Sequence, residues 1–117
     1  MPMDVIKVDR KRVVEILEES IKLYKAKDAD YSGDVPLSNF RTSTEYGVQP
    51  WRAVLSGRFN DKVSRIKKFC RDGKFEVTTE TMCDTLTDGL VYLAIARALY
   101  EEEFGEVNLL EKGGIVQ

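Results

Sequence analysis

Glu80, Asp84 and Asp88 recur at four-residue steps. On a helix that spacing sets successive side chains about 40° apart along one face, so three carboxylates stack in a row. Like charges so placed repel by roughly 0.2–0.5 kcal/mol per exposed pair, and by more when desolvated. A bound divalent cation removes that repulsion, which makes Glu80, Asp84 and Asp88 candidate metal ligands. The row runs on through Val91, Ile95 and Leu99, so the face that begins acidic becomes apolar. Asp84 and Asp88 are therefore expected to face inward, as the candidate catalytic pair. The alternative is electrostatic: Glu80 and Asp84 complement the positive N-terminal end of their helix, and Asp88 pairs with a lysine.

A second row is cationic. Arg58, Lys62 and Arg65 share helical spacing with Phe69, and such a stripe opposite metal-bound carboxylates suits phosphate oxygens, arginine as a fork and lysine as a point charge. Direct pairing with the acids, or a solvated face, explains the same residues. Glu15 and Glu19 add possible metal ligands upstream, while Glu18 precedes Lys22 by four residues, the spacing of a surface pair. Tyr31, Asn39 and Phe40 offer an amide and flat rings for a nucleobase. Loop aromatics also serve simply to anchor a loop to the core.

The elements that must position these groups are helical. Val13, Ile16, Leu17, Ile21, Leu23 and Tyr24 predict a first helix from Asp9, its N-cap, to about Lys27 with one buried face. Residues 28–49 lose the periodicity and read as a long loop. Pro50 opens a second helix to about Cys70, weakened in its middle by Gly57 and ended by Asp72-Gly73. Thr78 or Thr79 caps a third, running to about Glu103 and closed by Gly105, with a flexible tail over 105–117. The expectation is one all-α domain over 1–117: three long helices plus a C-terminal tail. Three helices leave one side of a four-helix arrangement unfilled, so self-association into a homodimer or homotetramer is expected to complete the bundle.

Composition narrows the chemistry. The chain of 117 residues contains no histidine, which removes Ser-His-Asp and Cys-His catalysis and histidine-bearing zinc sites. Two cysteines are too few for a disulfide framework and fit a reducing cytoplasm. A net charge of −2 without a basic run disfavours nucleic acid as a partner. The N-terminus, Met1-Pro2-Met3-Asp4, has no apolar core of signal-peptide length, and the apolar stretch around Leu90 to Leu99, broken by Arg97, is far short of a membrane span, so no membrane partner is expected. Walker, Gly-x-Gly-x-x-Gly and Cys-x-x-Cys motifs are missing. Lys27-Asp28-Ala29-Asp30-Tyr31 lacks the glycine and terminal glutamate of a calcium loop.

Lys62-Val-Ser-Arg65, followed by Glu80-Thr-Met-Cys-Asp84-Thr-Leu-Thr-Asp88-Gly-Leu-Val-Tyr92 and preceded by the pairs Asp30-Tyr31 and Asn39-Phe40, resembles the MazG-like, all-α nucleoside triphosphate pyrophosphohydrolases. It looks most like the small phage and bacterial group labelled the nucleotide-modification-associated domain. The resemblance spans roughly Lys22 to Tyr100. It implies a magnesium-dependent attack of water on the α-phosphate of a (deoxy)nucleoside triphosphate, leaving a monophosphate and pyrophosphate. Asp84 and Asp88 match the metal-binding acids of the later helix, though the usual pair there is Glu-x-x-Asp and these two are four apart. Glu15 and Glu18 could match the earlier Glu-x-x-Glu pair. Lys62 and Arg65 would steady the phosphates where negative charge builds. A nucleotide-binding or sequestering protein without turnover, and a helical interaction subunit, are the competing expectations.

Overall fold

A computed structural model describes residues 7–32, 37–74 and 81–105, with side chains from the first stretch described as far as residue 28. All regular elements among these residues are helical, as the periodicity predicts. α1 spans Arg10–Ser32. It is capped by Asp9, whose Oδ1 accepts from the Lys11 and Arg12 N–H groups at 3.1 and 3.3 Å. The helix runs beyond its expected end at Lys27, because nothing in Lys27-Asp28-Ala29-Asp30 breaks it and the Tyr24 hydroxyl donates to Asp28 Oδ1 one turn on, at 3.2 Å. The expected loop over 28–49 is thereby shortened. Much of what remains is ordered into two 3-10 turns, Ser38–Phe40 and Thr42–Tyr46.

Leu37 introduces the first of these turns at φ 60°, a left-handed conformation that costs a branched residue about 1–2 kcal/mol. Its side chain packs against the core, and Phe40, the last residue of the turn, is buried there. Burial of these two side chains is the physical reason the segment holds its shape. Phe40 meets Tyr92 edge to face at 6.5 Å.

α2 (Pro50–Val54), a π-helical turn (Leu55–Phe59) and α3 (Asn60–Asp72) follow without interruption and together form the expected second helix. The wide turn falls around Gly57, where helix propensity is weakest. Gly73 at φ 77° closes α3, its N–H donating to the Phe69 carbonyl at 2.7 Å. α4 spans Met82–Phe104 and is capped by Thr81. Thr78 and Thr79, the expected caps, lie outside the described residues, as do Glu80 and the tail beyond Gly105.

α1, α2 and α3 all pack on α4. Trp51 meets Tyr100 edge to face and Phe104 at a tilt, at 5.1 and 6.4 Å between ring centroids, while Lys62 pairs with Asp88. A register that falls on one helix as it rises on the other makes α2–α3 antiparallel to α4. Two polar contacts fix the Trp51 end: Arg41 forks onto the Glu102 carboxylate, and Trp51 Nε1–H donates to Glu103 Oε1 at 3.1 Å. The core among the described residues is Phe40, Val54, Val91, Ile95, Ala96 and Leu99. The buried face expected for α1 is only partly realised: Leu23 and Tyr24 pack on the core, whereas Val13, Leu17 and Ile21 remain about half exposed.

Candidate functional site

The acidic row of α4 is divided by the helix end it occupies. Asp84 is exposed and belongs to a capping box: its N–H donates to Thr81 Oγ1 at 3.0 Å, and the Thr81 N–H donates back to Asp84 Oδ2 at 3.1 Å. The backbone hydrogen bond from Thr81, reinforced by the contact with its side chain, holds the Asp84 carboxyl below the usual carboxylate range. The expectation that Asp84 faces inward is corrected. Because it is the third residue of the helix, its carboxylate is drawn to the unsatisfied N–H groups there, and the electrostatic alternative describes it.

Asp88, one turn further on, does face a neighbouring helix. Its Oδ2 lies 3.2 Å from Lys62 Nζ of α3, with 22 % of the Asp88 side chain and 11 % of the Lys62 side chain exposed. A lysine this covered is uncommon without a partner. Thr85, between the two aspartates, is fully buried, and Gly89 beside Asp88 faces the Phe59 ring with room for a Cβ at an ordinary 3.8 Å.

The three cations do not act as one stripe. Lys62 turns in to Asp88. Arg65 lies back along its own helix, Nε 3.2 Å from Asp61 Oδ2. The Arg58 guanidinium sits 5.0 Å from the centroid of the Phe40 ring, a cation–π contact. The π-turn between Leu55 and Phe59 explains the divergence, since an extra residue in the turn shifts the phase of Arg58 relative to α3. Arg58 lies on Phe40 and Lys62 on Asp88, the two cations four residues apart along the α2–α3 rod.

Phe40 is 5 % exposed, so the expectation that it stacks on a base is corrected. Its ring anchors the loop, and Arg58 covers it. Asn39 beside it is exposed. The Tyr31 side chain and Glu80 lie outside the described residues. On α1, Glu15 and Glu19 both receive Arg12 Nη1, at 3.4 and 2.9 Å, and Glu18 is exposed.

Among the described residues no three acidic or thiol side chains converge as metal ligands. Asp88 has the charge and position for one oxygen ligand, but Asp84 is committed to its cap and Glu15 to Arg12. The described residues thus do not by themselves assemble the expected magnesium site of Glu80, Asp84, Asp88, Glu15 and Glu18. Sequence reasoning missed the π-turn and the Arg58–Phe40 contact. Gly57 within a helical pattern is the one signal that pointed to the former. Comparison with protein-family models, with curated proteins and with solved structures finds no match. No helix among the described residues is long and apolar enough to cross a membrane.

Proposed function

We propose that this chain binds a nucleoside triphosphate on the α3–α4 face and cleaves it to a monophosphate and pyrophosphate, with magnesium as the cofactor that the MazG-like resemblance implies. The observation that carries the reading is the poorly exposed Lys62–Asp88 pair beside Arg58. Ion pairs taken out of water contribute little net stability compared with apolar residues of the same volume. Here one cation and one carboxylate are nevertheless held at a helix interface, with Arg58 and Arg65 on the same helical rod. Lys62 and Arg58 would attract the polyphosphate, Arg65 would join them by releasing Asp61, and exposed Asn39 stands next to the patch for the base.

Magnesium would supply charge screening and an activated water. No step is assigned to it, since the described acids do not assemble its site. Pyrophosphate release from a panel of deoxynucleoside and ribonucleoside triphosphates with magnesium tests the proposal. Turnover of at least one, lost in Asp88→Asn, is expected; no turnover on any of them refutes hydrolysis.

A second reading, nucleotide binding without turnover, is favoured by the commitment of Asp84 to the helix cap. It predicts a nucleotide that raises the melting temperature and is recovered chemically unchanged.

A further inference from the structure

Arg12, Arg41, Arg65, Arg71 and Arg97 each donate to a carboxylate. Arg58 does not. Its guanidinium lies over the Phe40 ring, 5.0 Å from the centroid, and no carboxylate among the described residues takes its N–H groups. The difference matters chemically. A carboxylate occupies the donors of a guanidinium and must be displaced before a phosphate can bind. An aromatic face restrains the same group through its charge and leaves the N–H donors to an incoming acceptor.

Three elements build this contact. In an unbroken α-helix Arg58 would follow buried Val54 by four residues, onto the face that packs on α4. The π-turn gives that place to Phe59, which faces Gly89, and turns Arg58 towards the loop. The ring that receives it is fixed: Phe40 is 5 % exposed and meets Tyr92 of α4 edge to face. Its turn is entered through left-handed Leu37 and followed at once by Arg41, which is forked onto Glu102. A strained residue of this kind persists where its surroundings over-determine it, as they do here.

We propose that Phe40 is a positioning residue for polyphosphate binding, its buried ring holding the Arg58 guanidinium in place before the ligand arrives. The proposal rests on the nucleotide reading above and deepens it. Phe40 acts on the phosphates through Arg58 and touches no base, so its effect is the same whether or not the ligand carries one. Restraining a long side chain beforehand removes that ordering cost from binding, a gain of about fivefold in affinity.

Calorimetric titration of the full chain with inorganic tripolyphosphate and with an α,β-methylene nucleoside triphosphate, both with magnesium, tests it. Phe40→Leu, which keeps an apolar side chain and removes the ring, should weaken both ligands about fivefold. Pentafluorophenylalanine at position 40 keeps the ring shape and inverts the charge of its face; it should do the same while leaving the melting temperature within a few degrees. In an Arg58→Ala background neither change should weaken binding further. Arg52→Ala removes a guanidinium that lies 5.0 Å from the Trp51 ring centroid, towards the other end of the rod, and should leave both affinities as they are. Undiminished binding in both Phe40 variants overturns the proposal. So does a loss that persists in the Arg58→Ala background, a loss confined to the nucleotide, or an Arg52→Ala loss equal to that of Arg58→Ala. In each of these cases wild-type binding leaves the nucleotide reading standing, whereas a wild type that binds neither ligand refutes that reading and this proposal together.

Discussion

Asp88→Asn removes the counter-charge of a lysine that has little access to water. Exposed ion pairs contribute about 0.2–1 kcal/mol, whereas breaking a buried pair from one side costs about 3–5 kcal/mol, because a charge is left in a poor solvent. With side-chain exposures of 11 % for Lys62 and 22 % for Asp88, this pair sits between those limits. The cost of Asp88→Asn should be about 2 kcal/mol. Lys62→Met keeps the aliphatic stem and leaves the better-exposed partner behind, so about 1 kcal/mol is expected. The double variant Lys62→Met/Asp88→Leu removes both charges and should return to within about 1 kcal/mol of the wild type. Urea unfolding followed by circular dichroism reads these values. For a slope near 1.5 kcal/mol per molar, Asp88→Asn lowers the midpoint by a little over 1 M. A loss below about 0.5 kcal/mol, or one abolished by 0.5 M salt, would show an exposed and screened pair and would refute the reasoning.

Thr81→Ala should cost about 1 kcal/mol by removing the N-cap of α4, seen as a lower urea midpoint. Asp84 has a depressed pKa in the folded state, so its contribution is fully present above the unfolded value near 4 and is lost as pH falls through the folded value; the acid limb of stability in Asp84→Asn should accordingly be flatter than in the wild type. Gly89→Ala should stabilise by up to about 1 kcal/mol, because the new Cβ meets Phe59 at an ordinary 3.8 Å and helix propensity improves; a large loss of stability would refute that spacing between the π-turn and α4. Phe40→Ala should lower the melting temperature sharply, a cost of about 3–4 kcal/mol, since its ring is core and not a base platform.

Periodicity and caps made most of the architecture legible. Asp9, Pro50, Gly73 and Gly105 mark ends that the structure places where the sequence predicts them, because each acts locally: Asp9 through its carboxylate on the first N–H groups, the others through their own backbone geometry. The end of α1 was less legible, since no local signal separates a helix that stops at Lys27 from one that continues to Ser32. For the site, spacing alone could not tell an inward aspartate from a capping one. Both positions of Asp84 satisfy the four-residue step, and the unsatisfied N–H groups at the helix start decide between them. Asp88 falls beyond that first turn and so follows the face it shares with the core. The row Arg58, Lys62 and Arg65 assumed an unbroken α-helix, and the π-turn put Arg58 out of phase. The apolar spacing of α1 predicts one buried face, and Val13, Leu17 and Ile21 remain half exposed because periodicity marks which residues share a face but not whether another element covers it.

Calorimetric titration with a non-hydrolysable nucleoside triphosphate analogue, with and without magnesium, tests the central claim most directly. The account predicts saturable binding by the wild type, weakened about tenfold or more in Arg58→Ala and in Arg65→Ala while both variants keep the wild-type melting temperature within a few degrees. Absence of binding at millimolar analogue, or binding unchanged in both arginine variants, would contradict it.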